Sequence, residues 1–439
     1  MTSGMGSKST PSARPEELQR VVGVWGAVWM GLGSILGTGV FVSLGIAADV
    51  AGDSLLLAVG FAALVAIANG LSSAQLAAAH PVSGGTYEYG RQFIHPHIGF
   101  AAGWMFLSAK SASAATAALG FAGYALHSLG FSDQMSLRVG LALGLILILT
   151  ALVSTGLKRS NHANIIIVAV TLTALTAFIA FGQHDFGLVQ TSMETLTSGG
   201  ETRSNLAQAT ALMFVAYTGY GRIATLGEEI KAPAKNIPRA IIVTLFVSMI
   251  VYLSVAWTAV STVGASAFAA STNELAAPLE FVSRQFSVAA VSPLVALGAL
   301  TAMAGVLLNL LLGLSRVLFA MARQGDMPSY LKHLSPSTKS PTRSVWAIGA
   351  LISGLALLGD VRTTWTFSAF TVLIYYGITN WAALRLPAEA RRFPRIVSWI
   401  GLLACFGLAA FVDLNSLVIG LSLLGLGFIA RFAIQKNVN

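Results

Sequence analysis

Residues Gly33-Ser34-Ile35-Leu36-Gly37-Thr38-Gly39-Val40-Phe41 lie in the middle of the first long apolar run of the chain. A backbone that opens at mid-bilayer exposes N–H and C=O groups that lipid cannot satisfy. Such a break survives only where it is buried in protein or lines a polar cavity. A second candidate, Phe214-Val215-Ala216-Tyr217-Thr218-Gly219-Tyr220-Gly221, follows half a chain length later. The glycines on either side of Thr38 permit non-helical backbone. The amides they free sit at the N-terminus of a half-helix, where the dipole favours an anion, and an α-carboxylate is the natural ligand. Freed carbonyls around Val215, Ala216 and Thr218 are the matching acceptors for an α-ammonium group. Paired breaks of this kind build substrate sites in secondary transporters. Gly33 and Gly37 also form a Gly-x-x-x-Gly pair, which alone predicts only close helix packing. No strand precedes these glycines, so they are not a dinucleotide fingerprint.

The elements that must position these residues are membrane-spanning helices. The chain is 55% hydrophobic and only 10% charged, with a mean hydropathy of +0.75. A soluble domain carries about 25% charged residues. The apolar runs are about the length that crosses a hydrocarbon core. They predict spans near 22–48, 54–79, 98–126, 136–156, 163–182, 206–227, 237–263, 289–323, 344–359, 364–386, 396–412 and 414–434. A β-barrel is excluded by nearly continuous apolar stretches such as 140–150 and 417–429, because barrel strands alternate. The longest loops, roughly 183–205, 264–288 and 324–343, are too short for a further domain.

The net charge of +9 is distributed as a topology signal and not as a nucleic-acid surface. Basic residues gather in alternate loops, from Arg91, Lys158 and Arg159 through Lys231, Lys235 and Arg239 to Arg391, Arg392 and Arg395. The opposite loops hold only Arg138, Arg203, Arg284 and Arg362. The bias places both termini in the cytoplasm. Residues 1–20 lack the apolar core of a signal peptide and read as a cytoplasmic tail. The single cysteine, Cys405, permits no intrachain disulfide and reads as a small packing residue. His80, His95 and His97 lack zinc-ligand spacing and read as surface residues. No metal or cofactor is expected.

Further stretches bring a family into view. Pro81-Val82-Ser83-Gly84-Gly85-Thr86-Tyr87-Glu88-Tyr89-Gly90-Arg91 precedes the third span. Glu228-Glu229-Ile230-Lys231-Ala232-Pro233 and Ile237-Pro238-Arg239-Ala240 follow the sixth. Ser315 through Pro328, Phe370 through Tyr376 and Asn380 through Leu386 continue the series. With the two breaks, and in this order, they resemble the amino acid–polyamine–organocation permeases. The resemblance covers residues 22–390. It implies an all-α polytopic membrane protein with a LeuT-like 5+5 inverted repeat over residues 21–390, unwound in spans 1 and 6. Two further helices, over 391–439, match by position and hydrophobicity only. It implies an amino acid as substrate, held between spans 1, 3, 6, 8 and 10 by Ile35 (through its carbonyl), Gly37, Thr38, Gly39, Val215, Ala216, Thr218 and Gly219, with Phe214, Tyr217 and Tyr220 shaping the side-chain pocket. It also implies alternating access in a cytoplasmic membrane, without a disulfide-linked heavy chain, since no extracellular loop holds a cysteine.

Departures from the family pattern concern coupling and charge. Many proton-coupled members carry a lysine midway along the fifth span; counting places Thr171 there, and the partner hydroxyl of the eighth span falls at Gly305. The coupling ion is thus open, with a proton favoured over sodium and uncoupled exchange credible. Two cations occupy positions where the family has none: Lys110 inside the third span and Arg222 just past the second break. Charges at this depth face a cavity or a partner. Arg222 can pair with Glu228 or Glu229, which otherwise read as part of an inner gate. For Lys110 no carboxylate is evident in neighbouring spans. It either binds an acidic group of the substrate or carries the coupled proton. Tyr87 and Tyr89 read as interface anchors or gate aromatics. No hydrolase motif is present. The alternatives are an organic-acid or inorganic-ion transporter of the same fold, or an amino-acid sensor without net transport.

Overall fold

A computed structural model describes residues 20, 22–82, 84–131, 134–155, 160–185, 187, 200–225, 227, 230–275, 277–336, 340–358, 360–412 and 414–436. Among them the structure is helical, with no strand beyond one bridge between Val22 and Ile230. The first apolar run is broken: α1 (Val24–Ile35) ends, a turn follows at Leu36–Gly37, and a π-helical turn (Gly39–Ser43) opens α2 (Leu44–Ala51). Then come α3 (Leu55–Ala79), α4 (Thr86–Phe93), α5 (Pro96–Ser128), α6 (Met135–Ser154) and α7 (Ser160–Phe181). The second break lies between α8 (Gly200–Tyr217) and α9 (Gly221–Thr225), as a 3₁₀ turn at Thr218–Tyr220. The remainder is α10 (Pro233–Val263), α11 (Ala265–Leu275), α12 (Pro278–Ser283), α13 (Val291–Arg323), α14 (Thr342–Ala356), α15 (Val361–Leu384), α16 (Arg395–Ala409) and α17 (Leu414–Lys436).

Seven apolar stretches of the described residues are long enough to cross a membrane: 24–79, which holds α1–α3, then α6, α7 from Asn164, α10, α13, α15 and α17. Four expected spans fall short of that measure. Helices α14 and α16 are 15 residues each, below the 17–25 usual for a span. Helix α8 carries Glu201, Arg203 and several polar residues in its first turns. Helix α5 is long but built largely of Ala, Gly and Ser, and it is buried almost all round. Its composition answers to protein neighbours, because small side chains let backbones approach.

Helix α5 packs against α13 and α15 and is stitched to α15 by hydroxyl pairs. Ser113 Oγ lies 2.8 Å from Ser368 Oγ, and Thr116 Oγ1 lies 2.8 Å from Thr364 Oγ1. Asp360 caps α15, accepting from the amides of Arg362 and Thr363 at 3.1 and 2.9 Å, which satisfies two otherwise orphaned donors.

Two expectations need correction. The segment 264–288 is not a plain loop: α11 turns Ala265, Phe268 and Ala269 into the core at helical spacing, and α12 buries Leu279 and Val282. Tyr87 and Tyr89 are not interface anchors. Both are fully buried, with Tyr87 donating to Asp326 at 2.8 Å and Tyr89 to the Ala224 carbonyl at 3.4 Å.

Candidate functional site

The two breaks face each other across one cavity of about 50 Å³, room for roughly four water-sized groups. Ser34, Ile35, Thr38 and Gly39 line it from the first break; Val215, Ala216, Thr218, Gly219, Gly221 and Arg222 line it from the second. Helix α5 contributes Phe106, Lys110 and Ser113, α13 contributes Val306, Asn309 and Gly313, and α15 contributes Trp365.

The backbone at the first break explains its chemistry. The Leu36 amide still donates to Leu32, but the Gly37 amide turns back to the carbonyl of Ile35 at 2.9 Å, and the amides of Val40 and Phe41 donate to Gly37. Thr38 and Gly39 therefore open the second half-helix, and the first amides of a helix have no intrahelical acceptor. The Thr38 side chain is 3% exposed, and its hydroxyl oxygen has no hydrogen-bond partner. Gly39 must be glycine for packing as well: a Cβ there would meet the Tyr252 hydroxyl and lie 2.8 Å from the Ala216 Cβ.

The second break is closed by its own neighbours. Thr218 Oγ1 donates to the Val215 carbonyl at 2.6 Å. The Tyr252 hydroxyl lies 2.7 Å from the Ile35 carbonyl and 3.2 Å from that of Ala216. The Tyr376 hydroxyl donates to the Thr218 carbonyl at 3.2 Å. Lys110, 7% exposed, completes the wall by donating to Thr218 Oγ1 at 2.6 Å.

Several residues singled out by sequence are elsewhere. Gly37 does not line the cavity; it lets Val306 pack against the turn. Phe214 packs edge-on against Tyr376, and Tyr217 packs at a tilt against Tyr252 and donates to the Val59 carbonyl. Both lie behind the wall. Thr171 bonds the Ile167 carbonyl of its own helix, and Ile167, not Thr171, stands opposite Gly305. The side chain that does reach α1 from α7 is Asn164. It donates to the Trp29 carbonyl at 3.0 Å, accepts from Asn309 at 3.1 Å, and fills the space a Cβ on Gly33 would need. Gly33 and Gly37 thus serve close packing beside a genuine break. Asn164 carried no sequence signal except as a polar residue near the start of an apolar run. Glu228 and Glu229 lie outside the described residues. Among the described residues no cluster of His, Cys, Asp and Glu is placed to hold a metal ion.

A helical, strongly apolar chain with two broken helices meeting at one internal cavity is an integral membrane protein of the permease type. The sequence pattern of the amino acid permease family matches residues 26–439, and the chain belongs to that family, within the amino acid–polyamine–organocation superfamily. It is 38% identical to a transporter of Mycobacterium tuberculosis over 98% of this chain and 94% of that protein. It is 28% identical to a branched-chain amino acid permease of Bacillus subtilis, over 82% of this chain and 80% of that one. The human cationic amino acid transporter 4 is also 28% identical, over 83% of this chain and 59% of its own length.

Proposed function

We propose that the protein carries amino acids across the cell membrane by alternating access, with the cavity between the two breaks as the substrate site. The observation that carries this reading is the pair formed by the Thr38–Gly39 amides and the unpartnered Thr38 hydroxyl at one wall of a buried cavity. Together they offer donors to an α-carboxylate at a half-helix N-terminus. The second lone pairs of the Ile35, Val215 and Ala216 carbonyls are the acceptors for an α-ammonium group. A cavity of about 50 Å³ admits such a substrate only when its walls part, which is what alternating access supplies.

In this reading residues 21–390 are a 5+5 inverted repeat within twelve spans, 391–439 are an accessory helix pair, and both termini are cytoplasmic. The relatives are named for branched-chain and for cationic amino acids, so family membership leaves the side chain open. Thr171 is not among the residues that line the cavity. Coupling runs by proton symport through Lys110 or by exchange of one amino acid for another.

The test is uptake by the purified protein in proteoliposomes, across a panel of labelled amino acids, with and without an inward proton gradient. Saturable uptake of an amino acid supports the reading, and its dependence on the gradient or on preloaded amino acid assigns the coupling. Failure to bind or move any amino acid overturns it.

A further inference from the structure

The cavity holds two cationic side chains, Lys110 and Arg222, and among the described residues no Asp or Glu lines it. The Lys110 ammonium has three donors and spends one on Thr218 Oγ1. No carboxylate among the described residues pairs with it. That is unusual for a buried charge, which is normally matched by an acid. Elsewhere in this molecule it is matched. Arg431, 5% exposed, bonds Asp326 at 2.8 Å, and Asp326 in turn accepts from Tyr87.

Thr218 is held so that it serves Lys110. Its hydroxyl proton is committed to the Val215 carbonyl, leaving the oxygen lone pair toward the ammonium. The lysine is thereby fixed at the second break, on the cavity wall, with donors to spare. Across the cavity lie Thr38 and Gly39 at the start of the second half-helix, with the Thr38 hydroxyl unpartnered. The site therefore offers donors at two ends. The Val215, Ala216 and Thr218 carbonyls between them each hold one side-chain bond, from Thr218, Tyr252 and Tyr376, with a second lone pair left for the α-ammonium group.

We propose that Lys110 is a specificity-determining residue and that the substrate is a dicarboxylic amino acid, its α-carboxylate on the Thr38–Gly39 half-helix and its side-chain carboxylate on Lys110. The inference rests on the cavity being the substrate site. It sets this chain apart from relatives named for cationic or branched-chain substrates, because a lysine side chain in the ligand would stand against the like charge of Lys110.

The experiment compares labelled aspartate and glutamate with asparagine, glutamine, leucine and lysine, using the full chain in proteoliposomes, and repeats the comparison for Lys110→Met and Lys110→Arg. The wild type is expected to favour each acid over its amide at least tenfold in apparent affinity. Lys110→Met is expected to cut that acid-to-amide ratio at least tenfold, and Lys110→Arg to preserve most of it. Thermal unfolding in detergent separates this from a structural role: Lys110→Met should unfold no lower than wild type, since it removes a buried charge that no carboxylate matches. Uptake of amides or leucine equal to that of the acids overturns this inference alone and leaves an amino acid permease. A ratio unmoved by Lys110→Met also overturns it. No binding or uptake of any amino acid overturns the site reading and this inference together. Should Lys110→Met fail to fold, Thr218→Val, which removes the anchor of the ammonium, must lower the same ratio or the inference falls.

Discussion

The two breaks differ in what they leave unfinished. At the first, Thr38 and Gly39 line the cavity where the second half-helix begins, and the Thr38 hydroxyl is buried without a partner. At the second, the carbonyls that a 3₁₀ turn would expose are already met, by Thr218, Tyr252 and Tyr376. A buried polar group left unpaired costs about 1–3 kcal/mol. The first break thus leaves the Thr38 hydroxyl unmet, whereas at the second the Val215, Ala216 and Thr218 carbonyls are met and the unmet group is the Tyr220 hydroxyl. In the proposed reading, the first break keeps a donor free for a ligand anion, and the second holds its shape with bonds that leave one lone pair on each carbonyl.

The sharpest way to break this contrast is Gly39→Leu. Its side chain would run into Tyr252 and Ala216 and occupy the space between the breaks, so uptake should fall to background in a protein that still inserts, as checked by reconstitution and size-exclusion behaviour. Thr38→Val tests the donor side alone. A hydrogen bond to a charged group is worth about 1.5–3 kcal/mol, so apparent substrate affinity should fall roughly ten- to a hundredfold, while the unfolding temperature without substrate stays level or rises. A drop in both would mean that the hydroxyl is structural after all.

Tyr252→Phe should do the reverse. It strips the cap from Ile35 and Ala216 together, and the expected loss is about 1–3 kcal/mol of stability, seen as a lower unfolding temperature even in the empty protein. If affinity suffered and stability did not, the second break would be a ligand site of the same kind as the first. Tyr376→Phe removes one bond, 3.2 Å long, and should give the smallest effect, about 0.5–1.5 kcal/mol, read by the same unfolding measurement.

Much of the arrangement was legible along the chain, for a local reason. The glycines flanking Thr38 permit an open backbone, and a lysine amid Ala and Ser in an apolar run needs a cavity or a partner regardless of fold. Residues whose role depends on rotation about a helix axis were not legible. Phe214 and Tyr217 sit beside Val215 and Ala216 in sequence, yet the former pair faces away from the cavity and the latter pair lines it. Thr171 and Asn164 are seven residues apart on α7, two turns on one helix. Only Asn164 reaches the Trp29 carbonyl, because α7 approaches α1 at that level.

By itself the sequence determined the membrane class, the family, the positions of both breaks and the presence of two buried cations, since each follows from composition or from backbone preference at a few adjacent residues. The tertiary structure decided what those features meet. It gave Lys110 a threonine in place of a carboxylate, capped the second break with tyrosines from α10 and α15, and left the Thr38 hydroxyl open. The physical reason is that a helix apolar on every side carries no periodic record of which face it turns to which neighbour; only packing settles that.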